Sequence, residues 1–225
     1  MVNPYLVILV LFAFLQTGSA NMLANGDGRQ GSVGWKANGT VHGAAKTEII
    51  GGVPCFTVRS PGSFAQVVEL PPSAAGWYAA IVGRGQAERV NGTGSITGLP
   101  YLYGMVIAPG GKRFLAYWQG QQMLARPSSP GEWVAMSGVF RVPEGASAVS
   151  VQLQQAERKG DPQDGSAARF TDVRMVLFPT EDAARAYVAA YKSSLEVLEA
   201  MATQYGAQVQ RTVDPSGSAQ TRTPR

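Results

Sequence analysis

The feature that most constrains this chain is a series of short apolar segments, spaced closely and separated by glycine and proline. One of them, Phe64 to Leu70, alternates apolar and polar residues and stops at Pro71, which has no N–H for a strand ladder. Another, Ala148 to Gln154, alternates in the same way. About nine or ten such segments follow one another with no helical pattern between them. This spacing predicts an all-β fold, an antiparallel β-sandwich rather than βαβ units.

Two neighbouring segments indicate a hairpin. Tyr101 to Ala108 and Arg113 to Gln119 flank Pro109-Gly110-Gly111-Lys112, a strong turn signal. Upstream of them, Trp77 to Gly83 is predicted as a strand. Residues 84–99 are rich in Gly, Asn, Ser and Thr, and they are predicted as a long loop.

The first 20 residues have the pattern of a targeting segment. The unbroken apolar run Tyr5 to Leu15 is too short to cross a bilayer of about 30 Å as a helix. Gly18, Ser19 and Ala20 are the small residues typical of a signal-peptide cleavage site. No Lys or Arg precedes the run, so an uncleaved anchor remains the alternative. The segment 1–20 is therefore predicted to be a signal peptide of a secreted or periplasmic protein, in which the single Cys55 is expected to be buried.

The pattern changes at Thr180, where a helix is predicted. Thr180 is a suitable N-cap, acidic residues follow it, and apolar residues then recur at helical spacing up to Gly206. The apolar face of this helix, residues 180–206, either packs on the sandwich, which would span residues 21–179, or mediates self-association or docking to a partner protein. Residues 207–225 have few apolar side chains and are predicted to be a disordered tail.

Several short motifs occur in an order that resembles one family. They are Asn25-Gly26-Asp27, Trp35, Phe64 to Val68, Gly76-Trp77-Tyr78, and Trp133 followed by Phe140 to Pro143, with Asp172-Val173 near the end. This order resembles the galactose-binding-like jelly-roll carbohydrate-binding modules and covers residues 21–178. The resemblance implies a jelly-roll sandwich in which the segment Asn21 to Trp35 supplies a first strand and loop. Its neighbour would be the last strand, Ala168 to Phe178.

Recognition of a sugar on a β-sandwich needs flat rings for its C–H faces and planar polar groups for its hydroxyls. The chain offers such residues around the predicted hairpin. The candidate ligand-binding residues are Tyr101, Tyr103, Tyr117, Trp118, Gln119, Arg84 and Gln121. Tyr117 and Gln119 share one face of their strand and Trp118 the other, so only one of the two faces can point inward. The alternative is that these rings pack in the core or at its rim. The resemblance implies core positions for Trp35, Tyr78, Trp133 and Phe140.

The resemblance also implies a structural calcium ion between the opening loop and the last strand. The candidate ligands are Asn25, Asp27 and Asp172, whose hard oxygen atoms suit Ca²⁺. The chain departs from the family pattern here: Gly28-Arg29 stands where an aromatic and an acid are frequent, and Thr171 replaces the first Asp of the closing pair. Fewer carboxylates weaken the predicted site.

Other function classes lack support in the sequence. The net charge of +4 is not gathered into a basic stripe, which argues against nucleic acid as a partner. A G-x-G-x-x-G match at Gly26 to Gly31 is not followed by a helical pattern, as a dinucleotide site requires, and His42 is the only histidine. Three hypotheses remain: a non-catalytic carbohydrate-binding protein, a structural or interaction protein that assembles through its helix, and a small glycan hydrolase. A hydrolase would need two facing carboxylates, and Glu48, Glu69 and Glu132 are interpreted as surface residues.

Overall fold

The computed structural model of the protein describes residues 21–38, 44–90, 95–111, 113–114, 123–157 and 165–194. The predicted signal peptide and the predicted tail lie outside these residues. In the part of the chain that is described, no helix combines the length and the apolar character needed to span a bilayer.

The described residues form ten strands in two five-stranded antiparallel sheets. Sheet A has the order β1 (Lys36–Asn38), β4 (Ser63–Glu69), β9 (Ala148–Gln155), β6 (Pro100–Ile107) and β7 (Arg113–Phe114). Sheet B has the order β2 (Ala45–Ile50), β3 (Val53–Val58), β10 (Ala168–Phe178), β5 (Tyr78–Ala87) and β8 (Trp133–Arg141). The predicted all-β jelly-roll sandwich is confirmed, and so is the hairpin, in which β6 pairs with β7.

The core lies between the two sheets and is built on aromatic rings. The ring centroids of Trp35 and Phe56 are 5.0 Å apart, and those of Phe56 and Phe64 are 5.1 Å apart. Phe56, Phe64 and Phe170 are almost completely buried. Burial of each such ring contributes about 1.5–3 kcal/mol to stability.

Strand β5 extends further than predicted. It runs to Ala87, so residues 84–87, predicted as part of a long loop, belong to a central strand of sheet B. Gly83 and Gly85 obscured this strand in the sequence, but they face the core. A Cβ atom on Gly85 would lie 2.8 Å from Cβ of Pro100 and 3.0 Å from Cε of Met136. A side chain at this position would therefore clash with core residues, which accounts for the glycine.

The opening segment is a set of turns instead of the predicted first strand. It nevertheless lies beside the last strand, as predicted. The backbone N–H of Met22 donates to the carbonyl of Met175 at 2.9 Å, and the N–H of Val173 donates to the carbonyl of Gly26 at 2.9 Å. The indole Nε1 of Trp35 donates to the carbonyl of Ala24, which folds the segment back on itself. The two ends of the sandwich are thereby joined.

A helix, α1 (residues 181–194), follows β10 and packs on sheet B. The Thr180 hydroxyl accepts a hydrogen bond from the N–H of Ala183, which is the predicted N-cap interaction. Tyr187, Val188 and Tyr191 pack against Val82 on the outer face of sheet B. In its described part, the apolar face of the helix therefore covers its own sandwich, the first of the two alternatives that the sequence left open.

Candidate functional site

The outer face of sheet A presents ordered rows of side chains. On β6, Leu102 and Val106 point into the core, so Tyr101 and Tyr103 lie on the outer face. The ladder places Tyr101 opposite Gln154 of β9, and Tyr103 opposite Gln152. The same rows continue on β4 and β1, with Ser63 and Asn38 in the first row and Ala65 and Lys36 in the second.

The two tyrosines form a stacked aromatic pair on the outer face of sheet A, which we call the tyrosine platform. Their ring centroids are 6.0 Å apart and their planes differ by 10°. Both side chains are half-buried, and Tyr101 also packs against the buried residues Leu99 and Ala156. Burial raises the pKa of Tyr101, with a smaller contribution from Tyr103. The phenol of Tyr101 thus stays protonated at neutral pH and can donate a hydrogen bond.

Two planar amides stand beside this platform. Gln152 and Gln154 occupy alternate positions of β9 and are half-buried. The Nε2 atom of Gln152 donates to Oγ of Ser150 at 3.5 Å, a long contact that leaves its amide oxygen available as an acceptor. Sequence reasoning singled out neither residue. The clean alternation of the strand Ala148 to Gln154 was the available signal, because it puts both amides on one face with Ser150.

The structure does not gather all the predicted ligand-binding residues at this face. Arg84 lies on the outer face of sheet B, where its guanidinium carbon is 5.8 Å from the ring centroid of Trp133. It is therefore on the opposite side of the sandwich from Tyr101 and Tyr103. Tyr117, Trp118, Gln119 and Gln121 lie outside the described residues. They follow β7, which borders β6 along Val106 and Ile107.

Trp133 does not occupy the core position that the sequence suggested. It is half-buried and sits opposite Gln86 at the start of β8, while the next residue, Val134, packs against the core. A strand that alternates can place either set of residues inward, and the sequence at Trp133-Val134 does not indicate which.

The three residues implied as calcium ligands are occupied by other contacts. The amide of Asn25 donates to the carbonyl of Gly31 at 2.8 Å, and its Oδ1 accepts from the N–H of Gln30. Asp27 pairs with Arg29, and Asp172 with Arg174, at 3.2 and 2.7 Å. The described residues contain no group of three or more His, Cys, Asp or Glu side chains that could hold a metal ion. Calcium binding by Asn25, Asp27 and Asp172 therefore stays a prediction, and the proposed function uses no metal.

Two of the three carboxylates considered for hydrolysis, Glu48 and Glu132, have structural partners. Glu132 accepts hydrogen bonds from the hydroxyl and N–H of Ser128, and these hydrogen bonds lower the pKa of its carboxyl group. Glu48 accepts one from Thr57 at 2.6 Å and pairs with Lys46. Burial raises the pKa of the Glu48 carboxyl, but these partners outweigh it, and the net shift is downward. A general acid in a glycosidase needs the opposite shift.

No protein-family model matches the chain. No curated protein matches it either. Several solved structures do match the chain.

The enzymatically active domain of tailspike protein 4 of bacteriophage CBA120 matches with a TM-score of 0.50 and 13% identity. The match covers 70% of this chain and 21% of that one, so this chain corresponds to about a fifth of the tailspike chain. A xylan-binding domain of carbohydrate-binding family 22 has a TM-score of 0.48, 14% identity and coverage of 72% and 98%. A family 61 module in complex with β-1,4-galactotriose has a TM-score of 0.42, 17% identity and coverage of 70% and 98%.

At these identities the similarity shows the fold alone. The structural neighbours are mostly carbohydrate-binding modules of families 22, 61 and 4. The β-sandwich that the sequence motifs implied is confirmed by the two antiparallel sheets themselves.

Proposed function

We propose that this protein is a secreted, non-catalytic carbohydrate-binding protein that holds a glycan on the outer face of sheet A. The observation that carries the proposal is the stacked pair Tyr101 and Tyr103, which lies in register with Gln154 and Gln152. The structural neighbours that are carbohydrate-binding modules support it.

The physical argument starts from the two kinds of surface on a sugar. A pyranose ring has apolar C–H faces, and the tyrosine rings offer a matching flat surface of limited conformational freedom. It also has hydroxyl groups whose lost hydration must be replaced by hydrogen bonds. The amides of Gln152 and Gln154 carry both donors and acceptors, which fits hydroxyls that act as either.

The shape of the face favours a chain over a single buried sugar. The rows extend across sheet A from Tyr101 to Asn38 and from Tyr103 to Lys36, and the outer face also carries Val67, which is 60% exposed. A broad, shallow surface of this kind contacts one side of a polysaccharide. We expect modest affinity, because little of the ligand surface is removed from water.

Affinity electrophoresis of the protein through gels that each contain one soluble polysaccharide tests the function. The double variant Tyr101→Ala/Tyr103→Ala tests the platform. We expect at least one polysaccharide to retard the wild-type protein and the retardation to disappear in the double variant. The loss is expected to be about tenfold or more in affinity, since stacking and burial of two rings are removed.

The matched control is Tyr78→Ala, which removes a half-buried tyrosine from the start of β5 in sheet B. It is expected to keep the wild-type retardation. Circular dichroism checks that each variant is folded. The site is refuted if the double variant is folded and binds as the wild type does, and the function is refuted if no polysaccharide binds the wild-type protein.

The structure gives less support to assembly through the C-terminal helix. The described part of its apolar face is used against Val82 of the same chain, and Phe178 and Tyr187 contact each other with centroids 5.3 Å apart. A face that is buried in this way is not available to a second copy.

A further inference from the structure

A groove opens on the outer face of sheet B, on the side of the sandwich opposite the tyrosine platform. Its volume is about 570 Å³, which lies within the range of small-ligand sites. The turn between β2 and β3 forms one wall with Ile50, Gly51 and Val53, and Pro130 and Gly131 form the other. Its floor consists of Gln86, Glu88, Trp133 and Arg169.

Three of the four floor residues form one row of the sheet. Arg169 of β10 lies opposite Gln86 of β5, and Gln86 lies opposite Trp133 of β8. The row is fixed by hydrogen bonds as well. Nη1 of Arg169 donates to Oε1 of Gln86 at 3.0 Å, and Nε2 of Gln86 donates to the carbonyl of Gly131 at 2.6 Å. The polar groups are therefore in place before any ligand binds.

Arg169 is the central polar group of this groove. Its side chain is only 12% exposed, and its guanidinium lies 3.3 Å from Glu88 and 3.7 Å from Glu48. Its Nε atom is buried and has no hydrogen-bond partner within the described ranges. Oε1 of Glu48 lies 3.7 Å from this atom, so a ligand in the groove would meet the other nitrogen atoms of the guanidinium and not Nε.

The charges in the groove point to a neutral ligand. Glu88 and Glu48 both pair with Arg169, but Glu88 also pairs with Arg59 and Glu48 also pairs with Lys46, so each carboxylate lies between two cations. An anion would meet the two carboxylates, and a cation would meet the guanidinium. A pair of neighbouring hydroxyls fits both, since one can accept from Arg169 while the other donates to Glu88.

An aromatic ring in the floor of the groove supplies an apolar contact surface for a ligand. The half-buried ring of Trp133 offers a flat surface at one end of the row. Arg84 lies over this ring at 5.8 Å, within the range of a cation–π contact, which helps to hold the indole in place. A ring with an apolar face and adjacent hydroxyls is the chemistry of a neutral saccharide.

We propose that this groove is a second carbohydrate site, which takes a single neutral sugar residue against Trp133, Gln86, Arg169 and Glu88. It is independent of the platform on sheet A, because the two lie on opposite faces of the sandwich. The sheet A surface would follow a chain, whereas the groove, closed by walls on two sides, would accept a chain end or a branch.

Fluorine NMR of the full chain labelled with 5-fluorotryptophan provides the test. The Trp133 resonance is assigned as the one that is missing in Trp133→Phe. D-glucose, D-galactose, D-mannose, D-xylose and D-glucuronate are then added separately at millimolar concentrations. We expect at least one neutral sugar to shift the Trp133 resonance with saturation. In Gln86→Ala the apparent dissociation constant should rise about tenfold, because a groove hydrogen bond is lost.

The Tyr101→Ala/Tyr103→Ala variant separates this proposal from the first. It should retain the Trp133 response in full. The proposal is overturned if no neutral sugar moves the resonance, if only glucuronate does, or if the response disappears in the double tyrosine variant. A Trp133 response that survives while polysaccharide binding is absent would leave the groove standing and remove the sheet A function.

Discussion

The backbone N–H of Val173 donates a hydrogen bond to the carbonyl of Gly26, with 2.9 Å between nitrogen and oxygen. This contact joins the opening segment to the last strand at the point where β10 has a bulge, between Thr171 and Arg174. The neighbouring residue Asp172 adopts a positive φ of 52°, which is uncommon for a residue with a side chain. The junction therefore depends on a close backbone approach.

The first prediction concerns that approach. A Cβ atom on Gly26 would lie 1.9 Å from the carbonyl oxygen of Val173, so Gly26→Ala forces the two segments apart. We expect the free energy of unfolding to fall by about 1–3 kcal/mol or more, measured by urea denaturation. Gly145→Asn is the control, because Gly145 has open space around it and asparagine tolerates its positive φ. Equal stability of the two variants would contradict the prediction.

The second prediction concerns the amides beside the tyrosine platform. Gln152→Ala/Gln154→Ala keeps both rings but removes the groups that replace the hydration of the sugar. We expect the affinity for the polysaccharide identified with the wild type to fall by about fivefold to a hundredfold, with little change in thermal stability, because both side chains are on the outer face. The exposed Arg141→Ala on β8 serves as the control and should bind normally. Unchanged affinity in the double variant would limit the site to the rings.

The third prediction is acid sensitivity from Glu88. The hydrogen bond from Arg59, with a smaller one from the N–H of Ala167, holds the pKa of this carboxyl below its ordinary value of 4.5. A lowered pKa means that the stabilisation is present above pH 4.5 and is lost as the pH falls through the folded-state pKa. Glu88→Gln should lower the free energy of unfolding at pH 7 by less than about 1 kcal/mol, since the pair is partly exposed to solvent. It should also flatten the decline below pH 4.5, and an unchanged decline would rule out this role.

The fourth prediction is alkaline sensitivity from the helix. Burial, with a smaller contribution from the charge of Asp172, raises the pKa of Tyr191 above its ordinary value of 10.0. A raised pKa means that the stabilisation is complete below pH 10.0 and is lost as the pH rises above it. Tyr191→Phe should therefore have a shallower loss of stability above pH 10 and nearly wild-type stability at pH 7. Denaturation curves at a series of pH values measure both, and a loss as steep as that of the wild type would contradict the argument.

The fifth prediction concerns Cys55, which is fully buried. Burial raises the pKa of its thiol, so little thiolate forms at neutral pH. Iodoacetamide should modify Cys55 in the native protein at least about a hundredfold more slowly than in denaturant, as followed by mass spectrometry. Similar rates in the two states would show that the site opens readily.

The alternation of buried and exposed residues along a strand could be predicted from the sequence because it is a local property. Phe64, Gln66 and Val68 are buried along β4 while Val67 and Glu69 are exposed, as a period of two requires. The N-cap of α1 was equally local, because Thr180 and Ala183 are neighbours in the chain. Both predictions needed only short-range geometry.

The sequence does not indicate which sheet each strand belongs to, or which of its side chains point outward. Arg84 and Tyr101 are close in sequence, yet β5 and β6 belong to different sheets, so proximity in the chain was misleading. Trp133 was interpreted as a core residue because it matches a structural position of the resembled modules, whereas the ladder puts it in the outward row. The strand at residues 84–87 was hidden because glycine has low strand propensity, and the close approach that demands it is a tertiary property.

The rows of sheet A also bear on how such a surface can diversify. Because Tyr101 and Tyr103 are alternate residues of a single strand, main-chain geometry sets the distance between them at the site proposed for a glycan. Exchange of one outward side chain would thus alter which sugar is preferred without disturbing the scaffold, so new specificities can arise by single substitutions.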